Sequence, residues 1–396
     1  MSDFEPILDR LKTQGLFRTL STVEPVDGGH VRIGGREFVS FAGNDYLGLR
    51  MHPSVVAAAN AAAETYGVGA GASRLLAGTT PVHVQLEAAL AAFTGRERAL
   101  VFPSGYQTNV GVLSALTDED DVLILDSLCH ASLIDGARLS KAQFRVYPHG
   151  DTAKLSKALE RYAGRARRFI VTEGVFSMDG DLAPLGEICR LAQRHQAWVV
   201  LDDAHAFGVL GEHGRGTAEH LGVVLPERSV FVGTLSKALG SQGGFAAASA
   251  SVIDLVVNSA RSFIYTTGLS PASAGAALKA LDFVTEPSRR KRLLELAARA
   301  RAKLKSVIPG VPDGVTPIIP VIVGDVERTT KLASHLLDAG IFAPPIRPPT
   351  VPKGTARLRI SLSADHTERD IDRLAVALGE ALARGGFSLD PPRAES

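Results

Sequence analysis

"SVFVGTLSKALG", residues 229–240, is an apolar stretch followed at once by hydroxyl residues, a lysine and a glycine. The same layout recurs in "ALVF" before "PSGYQTN", "DVLIL" before "DSLCHAS", "RFIVTEG" before "VFSMDGD", and "AWVVL" before "DDAHAFG". Ala- and Leu-rich helical stretches alternate with these runs, which predicts an α/β fold with a mostly parallel central sheet and helices on both faces. Because ligands bind at the carboxyl ends of strands in such sheets, we expect the five polar clusters to converge on one crevice.

The pattern changes outside this region. Residues 1–48 predict an N-terminal arm with a helix and the hairpin-like "HVRIGGREFVS", and residues 49–285 form the predicted large domain. Residues 286–396 predict a smaller α+β domain, with the helices "SRRKRLLELAARARAKLKSV" and "ERDIDRLAVALGEALARG" and the strands "TPIIPVIVG" and "ARLRIS".

Composition narrows the class of protein. The 396 residues carry 43 basic and 42 acidic side chains, so no net field favours nucleic acid or an anionic membrane, and a small-molecule partner is favoured. Two cysteines, Cys129 and Cys189, are too few for a disulfide framework and are predicted to be unpaired thiols in a reducing compartment. The N-terminus lacks the layout of a signal peptide and no apolar run is long enough to span a membrane, so we expect a soluble cytoplasmic protein.

Lys237 follows the fifth apolar stretch, where a lysine could hold a phosphate, form a Schiff base or point into solvent. No GxxxxGK[ST] pattern precedes it, which argues against a nucleotide-binding loop. Its neighbours are small, and "GSQGGFAAAS" after it leaves room for a bulky group to approach the backbone. A buried amine is a good Schiff-base nucleophile, and this is the favoured interpretation.

Two glycine-containing loops could bind phosphate. "PSGYQTN" follows a strand and opens a helix, so N–H groups near Gly105 and Tyr106 could face an anion, although an ordinary β–α turn would look the same. "GVGAGASRLLAG", residues 67–78, superficially resembles a dinucleotide loop, but it follows a helical stretch and lacks the acidic ribose partner.

Acidic and histidine side chains are further candidates for residues of the site. Asp202 follows a strand that reads as buried and could meet a protonated heterocyclic nitrogen, ligate a metal with its neighbours, or be a hydrogen-bonded core residue. No further His/Asp cluster has ligand spacing, so no metal is predicted. His130 could cap a helix or serve the site, and its position at the same sheet edge favours the site. An amine, a carboxylate, histidines and a phosphate-binding helix start are together the parts required for pyridoxal 5′-phosphate (PLP).

The ordered motifs "FAGNDYLGL", "PSGYQTN", "HASLIDG", "VTEGVFSMDGDLAPL", "DDAHAFGVLG", "TLSKALG" and "ARLRISLSADHT" run over nearly the whole chain. With them the sequence resembles the α-oxoamine synthases, fold-type I PLP-dependent acyltransferases that condense an amino acid with an acyl thioester and release carbon dioxide. The resemblance implies that fold, the cofactor PLP, and a homodimer with active sites at the interface.

The resemblance also implies roles for single residues. Lys237 would be the Schiff-base lysine and take the α-proton, Asp202 would keep the pyridine nitrogen protonated, His205 would bind the ring's 3-hydroxyl oxygen, and His130 would stack on the ring. Further cofactor contacts are implied for Gly105, Tyr106, Ser177 and Thr234, and, from the neighbouring subunit, for Thr266 and Thr267. Arg359 would hold the amino acid carboxylate, with Asn44, Thr350, His130 and Arg18 on the substrate side.

Within that family, "IRPPTVPKGTARLR", "NDYLGL" and "EGVFSMDGDLAPL" are most similar to the members that begin biotin ring assembly from L-alanine and a pimeloyl thioester. The acyl carrier, coenzyme A (CoA) or acyl carrier protein, stays open. Members that use glycine with acetyl-CoA are the nearest alternative, and a non-catalytic subunit is disfavoured because the lysine is present.

Overall fold

The computed structural model describes residues 3–383. In that range the strands are β1 (Glu24–Pro25), β2 (His30–Ile33), β3 (Arg36–Ser40), β4 (Arg98–Phe102), β5 (Val122–Asp126), β6 (Gln143–Tyr147), β7 (Arg168–Glu173), β8 (Trp198–Asp202), β9 (Ser229–Thr234), β10 (Gly244–Ala248), β11 (Ile318–Gly324), β12 (Ile341–Phe342), β13 (Pro345–Ile346) and β14 (Ala356–Ser361). The helices are α1 (Glu5–Thr13), α2 (Pro53–Tyr66), α3 (Pro81–Thr94), α4 (Gly105–Leu116), α5 (Ala131–Leu139), α6 (Thr152–Arg161), α7 (Leu185–Arg194), α8 (Thr217–His220), α9 (Ala250–Ser259), α10 (Arg261–Ile264), α11 (Pro271–Thr285), α12 (Pro287–Val307), α13 (Val326–Asp338) and α14 (Glu368–Ala383).

The chain divides into two compact units. Unit 1 takes the chain up to Tyr46, Met178–Gly180 and the chain from Lys291 onward, and unit 2 takes Leu47–Ser177 and Asp181–Arg290. The sequence predicts three segments, 1–48, 49–285 and 286–396, whereas the structure groups the first and the last in one unit. The reason is that β3 pairs in parallel with β12, a contact between chain ends that local sequence patterns do not encode.

Unit 2 is built on a seven-stranded sheet in the order β4-β10-β9-β8-β7-β5-β6. Neighbouring strands from β9 through β6 pair in parallel, whereas β10 is antiparallel to both β9 and β4. All residues of β5, β9 and β10 are buried, as expected for strands covered by helices on both faces. The predicted mostly parallel sheet is confirmed.

A large apolar core lies between this sheet and helices α4, α5 and α9. It includes Phe102, Leu113, Leu133, Phe169 and Ile253, which are each at most 2% exposed. The core fixes α4 and α5 against the strands, and both helices begin at the carboxyl edge of the sheet, where the predicted site residues lie.

Unit 1 contains two small sheets, β1-β2-β3-β12 and β11-β14-β13. Strand β11 pairs antiparallel with β14, with Pro320 opposite Arg359. The predicted hairpin, C-terminal strands and helices therefore form near their expected positions, as β2, β3, β11, β14, α12 and α14. Among residues 3–383, no helix is long and apolar enough to cross a membrane.

A glycine after Lys237 allows two parts of the backbone to approach each other closely. A Cβ on Gly244 would lie 2.5 Å from the Cα of Gly105 and 2.5 Å from the Thr108 Oγ1 atom. Strand β10 thus approaches the first turn of α4 at backbone distance, which only a residue without a side chain allows.

We therefore expect Gly244→Ala to lower the free energy of unfolding by about 1–3 kcal/mol, because the added methyl group meets backbone atoms that cannot move away cheaply. Chemical denaturation measures the loss. Gly164→Ala is the control, since a Cβ there meets nothing within 4 Å. Equal stabilities for the two variants would contradict the close approach.

Candidate active site

The predicted strand ends meet in unit 2 at a cavity of about 240 Å³. Seven predicted cofactor residues line it: Gly105, Tyr106, His130, Asp202, His205, Thr234 and Lys237. They stand at the ends of β8 and β9 or in the segments that follow β4, β5, β8 and β9. The convergence expected from a parallel sheet is therefore present, and the cavity is the candidate active site.

Lys237 is half-buried in the turn that follows β9. Its Nζ atom lies 2.7 Å from Nε2 of His205, so the amine and the imidazole share a hydrogen bond. The Thr234 Oγ1 atom donates to the Gly243 carbonyl at 2.9 Å, which closes the loop that carries the lysine. The lysine does not point into solvent, and its loop holds the amine beside a histidine.

The two neighbouring aspartates of "DDAH" point to different partners. Asp202 lines the cavity, where its carboxylate accepts the Ala204 N–H at 3.0 Å and the Asn109 amide N–H at 2.6 Å. Asp203 accepts the N–H of Thr217 at 2.8 Å and its hydroxyl at 2.6 Å. Burial raises the pKa of Asp203 to about 7, although the Thr217 hydrogen bonds oppose the rise. The pair therefore does not converge as metal ligands would, and no group of three His, Cys, Asp or Glu side chains in residues 3–383 has a metal-binding arrangement.

The N-terminus of α4 forms another wall of the cavity. Ser104 is the N-cap and its Oγ atom accepts the Gln107 N–H at 3.1 Å. The N–H groups at the start of a helix have no partner within the helix and carry the positive end of its dipole. Gly105 and Tyr106 stand at that start and line the cavity, which favours an anion there over an ordinary turn.

His130 both caps a helix and lines the cavity. It is the N-cap of α5, and its Nδ1 atom accepts the Ser132 N–H at 3.2 Å while lying 2.7 Å from the Ser132 hydroxyl. The ring also lines the cavity. Capping therefore does not exclude a role of His130 in the site, which stays a prediction.

Glu173 is a buried site residue that the sequence analysis did not single out. It ends β7 as the register partner of Asp202 and lines the cavity at 2% exposure. Its carboxylate accepts the His130 N–H at 2.6 Å and the Ser177 backbone N–H. Burial raises the pKa of Glu173 well above its usual range and the Asp202 carboxylate raises it further, while Lys237 and the two N–H groups oppose them.

Three predicted cofactor residues do not line the cavity. Ser177 is buried and linked to it through Glu173. Thr266 and Thr267 follow α10, and the Thr266 Oγ1 atom lies 3.5 Å from the Gln107 Nε2 atom at the start of α4. Their assignment to a neighbouring subunit stays a prediction.

The predicted substrate-side residues of unit 1 form two pairs. An Arg359 Nη2 atom donates to the Asn44 Oδ1 atom at 2.9 Å and to the Tyr46 hydroxyl at 3.1 Å. Arg18 donates to the Thr350 hydroxyl at 3.2 Å, across 332 residues of sequence. Each pair is thus brought together within unit 1, and Tyr46 is an additional partner that the sequence analysis missed.

The cavity fits the group that the sequence predicts. A buried carboxylate suits a protonated ring nitrogen, a half-buried amine suits an aldehyde, and the start of α4 suits a phosphate. Asn109 adds a donor to Asp202, and its own Oδ1 atom is buried without a partner among the described residues. The donor set is therefore complementary to PLP.

Sequence signals existed for the two missed polar residues of the cavity. Asn109 lies four residues after Gly105 and so shares its helix face. Glu173 stands at the end of a predicted strand, where the strand-end rule applies to it as it does to Asp202. Three serines that also line the cavity, Ser104, Ser132 and Ser236, stand in the predicted strand-end clusters "PSGYQTN", "DSLCHAS" and "TLSKALG".

Comparisons with known proteins agree with this geometry. The family described as aminotransferase class I and II matches residues 36–378. The 8-amino-7-oxononanoate synthase of Thioalkalivibrio sulfidiphilus is 44% identical over 383 residues, which are 96% of this chain and 98% of that protein. The enzyme of the same name from Geobacter sulfurreducens is 47% identical over 374 residues, 94% of this chain and 95% of the other.

Solved structures give the same fold. A variant of serine palmitoyltransferase from S. paucimobilis with a bound PLP–myriocin aldimine has a TM-score of 0.90 at 30% identity, covering 96% of this chain and 98% of that one. The 8-amino-7-oxononanoate synthase from Francisella tularensis has a TM-score of 0.74 at 26% identity, covering 88% and 98%. The fold-type I architecture predicted from the sequence is confirmed.

Removing the Asn109 amide tests the role of this residue in the cavity. Asn109→Leu leaves the buried Asp202 carboxylate without its shortest hydrogen bond, and a hydrogen bond to a charged group contributes about 1.5–3 kcal/mol. We expect the dissociation constant for PLP, measured by fluorescence titration, to rise about tenfold or more. Asn258→Leu is the control, because Asn258 is exposed and bonds only to a helix carbonyl. Unchanged PLP affinity in Asn109→Leu would show that Asn109 does not support Asp202.

Proposed function

The chain belongs to the aminotransferase class I and II family, and we propose that within it the chain acts as an 8-amino-7-oxononanoate synthase. The reaction joins L-alanine to the pimeloyl group of a thioester, releases carbon dioxide and the free thiol, and serves biotin synthesis. Curated relatives of that name, 44–47% identical over more than nine-tenths of the chain, support the substrate choice. The observation that carries the chemistry is the Lys237–His205 pair, in one cavity with the Asp202 carboxylate.

PLP bound in this cavity serves as an electron sink when a bond to the amino acid's α-carbon breaks. The Asp202 carboxylate, which accepts a hydrogen bond from Asn109, would keep the ring nitrogen protonated. The start of α4 at Gly105 would hold the phosphate, and His130 would contact the ring.

Lys237 would hold the cofactor through its amine, and its Nζ atom would be the base that takes the α-proton. His205, 2.7 Å away, orients that nitrogen through a hydrogen bond. A base at a fixed distance from the proton that it removes contributes about 10²- to 10⁴-fold to the rate. The site thereby moves one proton at a defined atom.

Arg359 is assigned to the carboxylate of L-alanine. Its hydrogen-bond partners among the described residues, Asn44 and Tyr46, are uncharged, and its Nε atom is buried without a partner there. A half-buried guanidinium in such surroundings favours a carboxylate ligand. Arg18 and Thr350, which contact each other, are assigned to the acyl substrate.

The proposal includes a homodimer in the cytoplasm. Large apolar side chains of unit 2 are exposed in this chain, among them Val68 at 82%, Leu76 at 82% and Tyr265 at 71%. Exposed apolar side chains of this size are typical of surfaces that a second copy covers. Tyr265 precedes Thr266 and Thr267, the residues assigned to the partner's phosphate site. Cys129 and Cys189 are unpaired and buried, which suits a reducing compartment.

Lys237→Ala tests the chemistry. We expect the visible absorption band of lysine-bound PLP to disappear and product formation to fall by at least about 10³-fold, because the proton acceptor is lost. Lys279→Ala is the matched control, since Lys279 pairs with Asp282 on an exposed helix surface. A fully active Lys237→Ala protein would refute the assignment.

A substrate panel tests the specificity. We expect L-alanine with pimeloyl-CoA or pimeloyl-acyl carrier protein to give kcat/KM at least about tenfold above glycine with acetyl-CoA or L-serine with palmitoyl-CoA. Carbon dioxide release and mass spectrometry of the product measure it. A preference for glycine and acetyl-CoA would assign the chain to a different member of the same reaction class.

A further inference from the structure

His149 lies outside the cavity lining, between two carboxylates of unit 2. Its Nδ1 atom is 3.0 Å from the Asp126 Oδ1 atom, and its Nε2 atom is 2.8 Å from the Asp181 Oδ2 atom. The ring packs edge-on against Phe176 with centroids 4.3 Å apart. We call Asp126, His149 and Asp181 the His149 clamp.

The ring can donate to both carboxylates only when it is protonated. Burial lowers the pKa of His149, but the hydrogen bonds and charges of Asp126 and Asp181 outweigh that effect and raise the pKa to about 10. An imidazolium has two N–H donors, whereas a neutral ring has one. At neutral pH the clamp is therefore a cation that bridges two anions.

The first carboxylate is tied to the segment that leads to His130. Asp126 ends β5 and is 1% exposed. Its Oδ1 atom also accepts the Leu128 N–H at 2.9 Å, and its Oδ2 atom accepts the Gly150 N–H at 2.9 Å. A side chain that bonds to the backbone two residues on fixes the path of the turn.

The second carboxylate is tied to the segment that leads to Ser177. The Asp181 carbonyl accepts the Phe176 N–H at 3.0 Å, and Val175 and Leu182 form an antiparallel bridge. Asp181 is thus fixed to the residue before Ser177. On the cavity side, Glu173 joins the same two segments by accepting the N–H groups of His130 and Ser177.

We propose that His149 is a positioning residue, and that the His149 clamp fixes the segments that carry His130 and Ser177 and so sets the orientation of the His130 ring in the cavity. Glu173 links these segments by hydrogen bonds at the cavity, and the clamp links them by hydrogen bonds outside the cavity lining. The two segments are therefore joined at two separate points. With only one tie, a rotation about it would tilt the His130 ring. The inference rests on the PLP site of the proposed function and not on the choice of amino acid or acyl group.

The test compares His149→Gln with His213→Gln. His213 is a matched control, because it also pairs with a carboxylate of unit 2, Glu219, at 2.7 Å but is exposed. The readouts are the visible circular dichroism of PLP per mole bound, kcat and KM for L-alanine, and the Tm. Dichroism depends on the ring's asymmetric surroundings and needs no turnover.

For His149→Gln we expect the dichroism per bound PLP to fall at least twofold and kcat/KM to fall about 10- to 100-fold, because misplacing a catalytic group by an ångström has effects of that size. His213→Gln should match the wild type in both. A lower Tm with unchanged dichroism and kcat/KM would reduce His149 to a structural residue and overturn the proposal.

Asp181→Asn provides a second, milder variant, since the Asp181 side chain is 43% exposed. We expect it to lower the dichroism in the same direction, and the double variant to be no worse than His149→Gln alone. Independent, multiplying losses would show that the two residues do not act through each other, and would overturn the clamp. A wild-type protein that binds PLP but does not condense L-alanine would refute the proposed function and leave the dichroism comparison valid.

Discussion

Two carboxylates buried side by side determine how the site is organised. Glu173 and Asp202 are register partners at the ends of β7 and β8, and both are almost fully buried. Neighbouring anions without water are unfavourable unless donors or cations approach them. The N–H groups of His130 and Ser177 donate hydrogen bonds to Glu173, and the Asn109 amide donates one to Asp202. These hydrogen bonds hold the segments after β5 and β7 and the first turns of α4 close to the two carboxylates.

Residues on both sides of Lys237 fix the backbone of the loop that carries it. Thr234 uses its hydroxyl to hold the Gly243 carbonyl, and Gly244 admits the backbone of α4. Both features shape the backbone around Lys237, and Thr234 also lines the cavity. What they achieve is a closed loop that keeps the amine beside His205 and next to the helix start that suits a phosphate.

The sheet and most of the cavity could be predicted because both follow from local patterns. Strand ends in a parallel sheet share one edge, so Asp202, His130 and Lys237 were found by position alone. The grouping of the chain ends into unit 1 depends on the pairing of β3 with β12, which no local pattern reveals. The role of His149 is likewise not visible in any local pattern, because it depends on contacts with two carboxylates 23 and 32 residues away in sequence.

Two arginines on β14 differ in whether an acidic side chain pairs with them, and this difference distinguishes a structural arginine from a candidate substrate-binding one. Arg357 and Arg359 are two residues apart and therefore point to the same side of the strand. Arg357 forms an ion pair with Asp179, so its charge is satisfied within unit 1. Within residues 3–383, Arg359 donates hydrogen bonds to the uncharged Asn44 and Tyr46, and its Nε atom is buried without a partner. A half-buried cation in such surroundings is stabilised when an anion binds, so the carboxylate of an amino acid substrate would do for Arg359 what Asp179 already does for Arg357.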